Sequence, residues 1–167
     1  MGTESNAAVV ALQKAYKLER DGQEFYTQAA ERTVDPKGAE MFRSLADDEV
    51  LHAQIIQRQM DSLAEGQGWA SAADLDVGDV DLDAPLFPEG KVALDKAIRP
   101  DASDLDALLF ALKIENDSFS LYVEQAKSAT DANAKRMYEY LVGAERTHFD
   151  LLMTNYEAIS SMGGWAD

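Results

Sequence analysis

A chain of 167 residues can bury one sizeable core but is too short for two ordinary domains. Its 31 acidic residues against 15 basic ones leave a formal charge of −16, which repels nucleic acid and anionic membrane surfaces and attracts cations. Cysteine is absent, which excludes disulfides, thiolate zinc sites and iron centres held by cysteine.

The opening MGTESNAAVVALQK has no basic segment followed by a long apolar run, and no stretch approaches the roughly 20 apolar residues needed to cross a bilayer. A soluble, cytoplasmic protein is expected, with neither nucleic acid nor membrane as a partner. From Val9 to Ala30, the positions Val9, Leu12, Tyr16, Glu19, Gln23, Tyr26 and Ala30 advance by threes and fours, which predicts a helix with one stripe turned inward. A glutamate interrupts that stripe at its middle. Asp35 before Pro36 reads as an N-cap with proline at the first helical position, and the next stripe is Phe42, Leu45, Glu49, His52, Ile56 and Leu63.

Residues 66–103 lose the period and carry Gly66, Gly68, Gly78, Pro85, Pro88 and Pro100 among alternating aspartates from Asp74 to Asp83. The aspartate run is not a calcium loop, because Gly78 comes one place early and Pro85 stands where the bidentate glutamate belongs. A solvated connection is expected, with a short helix near Lys91 to Ile98. Ser103 then reads as the cap of a third helix with the stripe Leu105, Leu108, Leu112, Glu115, Phe119, Tyr122 and Ala126. Asp131 caps a fourth with Tyr138, Leu141, Glu145, His148, Leu152 and Ile159, and Gly163 with Gly164 ends it.

The second half repeats the first. One constant offset, that between His52 and His148, also carries Glu19 onto Glu115 and Glu49 onto Glu145, and it matches Leu12 with Leu108, Tyr26 with Tyr122, Met41 with Met137 and Leu45 with Leu141. We read residues 1–167 as one domain, with repeat one over about 6–65, a connection over 66–103 and repeat two over about 104–161. The midpoint of Glu19 and Glu49 falls in the Thr33 to Pro36 turn, and that of Glu115 and Glu145 falls in the second turn, so each antiparallel hairpin sets its two glutamates at one level. Each histidine follows its glutamate by three residues, on the same helix face.

Four carboxylates and two imidazoles buried at one level need compensating positive charge. Two divalent cations would cancel the four glutamates. A lone Glu-x-x-His is commonplace; two in register with two further glutamates point to metal, with a metal-free polar network as the alternative.

Through KLERDGQEFY with DDEVLHAQ, and IENDSFSLY with GAERTHFD, the chain resembles the ferritin-like superfamily, closest to rubrerythrin-like proteins. The resemblance implies an all-α, ferritin-like four-helix bundle made of two repeated antiparallel hairpins joined by a long crossover. It makes Glu19 and Glu115 single-helix ligands, Glu49 and Glu145 bridging carboxylates, and His52 and His148 terminal nitrogen ligands of a dinuclear centre. Iron is the expected metal; manganese suits the same ligands, and zinc can occupy them in a purified sample. The implied activity is an oxidoreductase reducing peroxide or dioxygen, or oxidising Fe(II), in the manner of a peroxidase or ferroxidase. Non-enzymatic iron storage or trafficking is the alternative, and a metal used only for stability a third reading.

Two departures matter. Rubrerythrins carry a further glutamate three residues after the third-helix ligand, where this chain has Ser118, with Gly22 at the equivalent place in the first helix. They also carry a rubredoxin domain, whereas here electrons must come from an external donor protein or from Fe(II) itself. A homodimer is expected by resemblance, and the long connection permits exchange of hairpins. Tyr26 and Tyr122 are read either as hydrogen-bond partners of a ligand, or radical traps, or as core aromatics. Gly22 either opens space for a small oxidant or serves helix packing. Asp48, whose counterpart is Ala144, is a candidate neighbour of the ligands, and Asp21 and Asp117 read as surface charges.

Overall fold

The computed structural model of the chain describes residues 2–71, 73–74 and 102–166. Among them the chain forms four helices, α1 (Gly2–Arg32), α2 (Pro36–Ala64), α3 (Ala102–Ser128) and α4 (Ala132–Met162). The expected short helix near residues 91–98, and the aspartate run beyond Asp74, lie outside the described residues. No described helix is long and apolar enough to cross a membrane.

The helix ends follow local chemistry. The Asp35 side chain accepts from the Lys37 N–H at 2.8 Å, and Asp131 accepts from Asn133 and Ala134, so each satisfies amides that the first helical turn leaves without partners. Gly163 closes α4 in the left-handed region at φ 75°, its N–H donating to the Ile159 carbonyl. The expected cap at Ser103 is not where α3 begins, since Ala102 is already helical. Several short polar residues run together there, and Asp104 in the first turn suits the positive end of the helix dipole.

α1 packs along α2 and α3 along α4, and the two hairpins meet through two apolar layers. One layer joins Tyr26, Ala30 and Phe42, from around the first turn, to Leu108 near the start of α3 and Ile159 near the end of α4. The other joins Leu12 and Ile56 to Tyr122, Met137 and Tyr138, from around the second turn. The first turn therefore lies at the end of the bundle where α3 begins, so Ala64 and Ala102 sit at opposite ends. The two hairpins run antiparallel to each other.

Each hairpin also locks the other. Gly68-Trp69-Ala70 and Gly164-Trp165-Ala166 stand at the offset of the repeat, which thus continues past Leu63 and Ile159. Trp69 lies edge-on to Tyr138 at 6.2 Å, and Trp165 edge-on to the equivalent Phe42 at 5.7 Å. Behind each tryptophan an amide side chain on the preceding helix ties down the tail: Gln59 Oε1 accepts from the Ala70 N–H at 2.9 Å, and Asn155 Oδ1 from the Ala166 N–H at 3.1 Å. Gly38 is required beneath Trp165, because a Cβ there would fall 2.4 Å from the indole ring.

Replacing Trp165, which is 3% exposed, by alanine is expected to lower the unfolding free energy by about 3–5 kcal/mol in a denaturant titration. The half-buried Trp69 is expected to cost less. Equal, negligible losses from both would show that the tails do not hold the hairpins together.

Candidate metal centre

Between the two apolar layers lies a polar one. Glu19, Glu49, His52, Glu115, Glu145 and His148 all reach it, and each is at most 3% exposed. The Glu19 and Glu49 carboxyl groups approach each other within 4.8 Å, as do those of Glu115 and Glu145, so each hairpin brings its glutamates to one level. His52 Nδ1 stands 3.2 Å from Glu19, 3.5 Å from Glu49 and 3.6 Å from Glu145. His148 Nδ1 stands 3.5 Å from Glu115, 3.6 Å from Glu49 and 3.8 Å from Glu145. The two imidazoles stack at 5.5 Å.

Two overlapping sets result. Glu19, Glu49, His52 and Glu145 offer ligand atoms all within 4.8 Å of one another, and so do Glu49, Glu115, Glu145 and His148. Glu49 and Glu145 belong to both, Glu19 and His52 to one, and Glu115 and His148 to the other. Either set can hold a metal ion. Among the buried side-chain atoms without a hydrogen bond, beside the Tyr138 hydroxyl and the Trp165 indole N–H, are Glu115 Oε2, Glu145 Oε1 and His148 Nδ1. Native interiors seldom leave such atoms unsatisfied, and all three are metal-ligating atoms.

The electrostatics describe a site short of positive charge. Burial, and then the Glu49 carboxylate, push Glu19 up to about 8. Burial with Glu19 and Glu115 raises Glu145 well above the carboxylate range. Burial opposes charge on the imidazoles too, but Glu19 and Glu49 outweigh it and raise His52 to about 9, while Asp48, Glu115 and Glu49 raise His148 well above its ordinary value. Glu49 goes the other way: burial works against its charge, yet Glu19 and the two histidines beside it hold it below the usual range. Bound protons thus do in the metal-free chain what cations would otherwise do.

The two tyrosines cross between repeats. Tyr26 donates to Glu115 and Tyr122 donates to Glu19, so each buttresses the glutamate of the other hairpin. A helical side chain leans toward the N-terminus of its helix, which brings these rings back to the level of the glutamates two turns earlier. Burial and the Glu115 carboxylate raise Tyr26 well above its ordinary value, and burial and Glu19 do the same to Tyr122, so both remain donors.

Other candidates sort themselves by position. A Cβ on Gly22 would lie 3.5 Å from the Glu49 carboxyl carbon, an ordinary contact, so Gly22 borders that carboxylate directly. Ser118 is buried at the matching place on α3. Asp21 and Asp117 pair with Lys17 and Lys113 on the exposed surface, as expected. Asp48 Oδ2 lies 3.2 Å from His148 Nε2, a contact that no helical period in the sequence could disclose.

A family model described as Rubrerythrin matches residues 11–156, which takes in α2 and α3, most of α1 and α4, and the six converging side chains. The chain belongs to the rubrerythrin family. A solved structure of a hypothetical protein from Pyrococcus furiosus shares the fold with a TM-score of 0.69 at 20% identity, over 95% of this chain and 94% of that one. No curated protein matches the chain in sequence. Membership of the rubrerythrin family and the duplicated carboxylate–histidine cluster together support a dinuclear metal site.

The raised values set the sign of a pH effect. Glu19 and His52 bind protons more tightly folded than unfolded, so their contribution to stability is full below 4.5 and 6.5 and is lost as pH rises through about 8 and about 9. The melting temperature of the metal-free protein should therefore fall as pH rises from 6 to 9, and bound metal should flatten the fall. A melting temperature that rises across this window without metal would contradict the charge balance described.

Proposed function

We propose that this rubrerythrin-family chain is a di-iron oxidoreductase that reduces hydrogen peroxide. The observation that carries the reading is the pair of four-residue sets sharing Glu49 and Glu145. Glu49 and Glu145 would bridge, Glu19 with His52 would complete one position, and Glu115 with His148 the other. A mixed nitrogen and oxygen set of this kind suits iron, and also manganese.

When bound in the ferrous state, the metal pair would supply the two electrons that convert peroxide and two protons into two waters. The chain provides the surroundings. Tyr26 and Tyr122 each hold one oxygen of Glu115 and Glu19, which leaves the second oxygen of each facing the centre. The apolar layers on either side keep bulk water out of that level, so the charges there act at low dielectric. On the α2–α4 side a cavity of about 60 Å³, lined by residues that include Asp48, Tyr140 and Thr147, reaches the two imidazoles. Its volume is of the order of two water molecules, room enough for peroxide. The bundle holds no cysteine, so electrons for re-reduction would reach the centre from outside it, from a donor protein or from Fe(II) in solution.

Rapid mixing of the diferrous protein with peroxide should oxidise the metal stoichiometrically within seconds, and with a reductant present each chain should consume many equivalents of peroxide. Replacing Glu49 and Glu145 together by alanine should abolish both. An inert centre defeats the proposal. A single oxidation followed by retained ferric iron, with no turnover, would favour storage.

A further inference from the structure

We propose that Asp48 makes the two metal positions unequal: by fixing the His148 imidazole, it causes the position formed by Glu49, Glu115, Glu145 and His148 to fill first and bind more tightly. The inference rests on the dinuclear reading above.

The ligand layer itself obeys the repeat. Tyr26 serves Glu115 as Tyr122 serves Glu19, and the two four-residue sets mirror each other. The symmetry breaks on the outer side of the imidazoles. His148 turns Nδ1 toward three glutamates and Nε2 toward Asp48, at 3.2 Å. An imidazole that donates its Nε2–H to a carboxylate keeps its Nδ1 lone pair available for a metal, and the carboxylate both orients the ring and raises its basicity as a ligand.

At the matching place beside His52 the repeat puts Ala144, whose methyl group cannot accept a hydrogen bond. The neighbour there is the ring of Tyr140, perpendicular to His52 at 6.2 Å, and the first repeat has the small Ser44 at the place equivalent to Tyr140. Both substitutions fall on the wall of the cavity that reaches the imidazoles. One side of that wall is a carboxylate and the other an aromatic ring and a methyl group. His52 is held by its Nδ1 contacts and by stacking on His148, and among the described residues its ion pairs with Glu19, Glu49 and Glu145 are all made through Nδ1.

Asp48 touches no metal position directly and is a positioning residue. Its side chain is 43% exposed, so its removal leaves the core intact. A simpler role is conceivable in which Asp48 only pairs with a charged His148 in the metal-free protein. That role would alter the melting temperature of the metal-free chain and leave the metal-binding steps as they are.

The test is an anaerobic calorimetric titration of metal-free protein with Co(II) at one fixed pH, with visible absorption followed in parallel. The wild type should bind two ions per chain in two resolved steps, the tighter lost in His148→Ala and the weaker lost in His52→Ala. Asp48→Ala should weaken only the tighter step, by about 10- to 100-fold, so that the two steps merge. Asp48→Asn, whose amide oxygen still accepts from Nε2–H, should retain most of the separation. Two ions bound with equal affinity in the wild type, or an Asp48→Ala variant in which neither step or both steps change alike, would overturn the inference and leave the dinuclear reading standing. Fewer than two ions per chain would overturn both.

Discussion

Six ionisable side chains share one buried layer of this bundle, and the rest of the molecule is arranged around the need to neutralise them. An unpaired charge in such a place is destabilising by several kcal/mol, so four glutamates cannot persist there as four anions without positive charge or protons. In the absence of metal, protons supply that balance. Glu19 and Glu145 are pushed toward their neutral forms and both histidines toward their cationic forms, while Glu49 keeps its charge among them. Metal binding and proton release are therefore two sides of one exchange, and the affinity of the centre for cations falls as the solution becomes more acidic.

Such a layer has to be held rigidly, because a misplaced carboxylate is a charge without compensation. Rigidity comes from duplication. The apolar clusters that lie on either side of the polar layer draw on both hairpins, and each hairpin sends a Gly-Trp-Ala tail to pack beside the turn of the other. The tyrosines extend the same exchange into the centre itself, since each repeat supplies the hydroxyl that holds the other repeat's glutamate. A single hairpin would own half of every one of these contacts.

Much of this could be read in the sequence, for a physical reason. Helical period and an internal repeat are one-dimensional signals, and together they set Glu19, Glu49, His52 and their counterparts on inward stripes at one level, which is where the structure has them. What escaped depends on how one hairpin meets the other. The helix of origin of Tyr26 says nothing about Glu115 on α3, and Asp48 meets His148 only because α2 and α4 face each other at that rotation. The tryptophan tails lie beyond the helical period, where a three-residue match attracts no notice until the rings are found on Phe42 and Tyr138. Ser103 failed as a cap because a row of short polar residues offers several places at which a helix can begin.

The duplication is also incomplete in an informative way. Inside the ligand set the two halves match, whereas around it Gly22 has Ser118 as its counterpart, Asp48 has Ala144 and Ser44 has Tyr140. These unlike neighbours give two chemically similar positions different surroundings, on which any division of labour between them depends. The central claim, that this layer is a dinuclear metal centre, is tested most directly by anomalous X-ray diffraction at the iron edge from crystals of the iron-loaded protein. The account predicts two peaks per chain, roughly 3.5–4 Å apart, with Glu49 and Glu145 between them. One peak, or two outside the layer of Glu19, Glu49, His52, Glu115, Glu145 and His148, would contradict it.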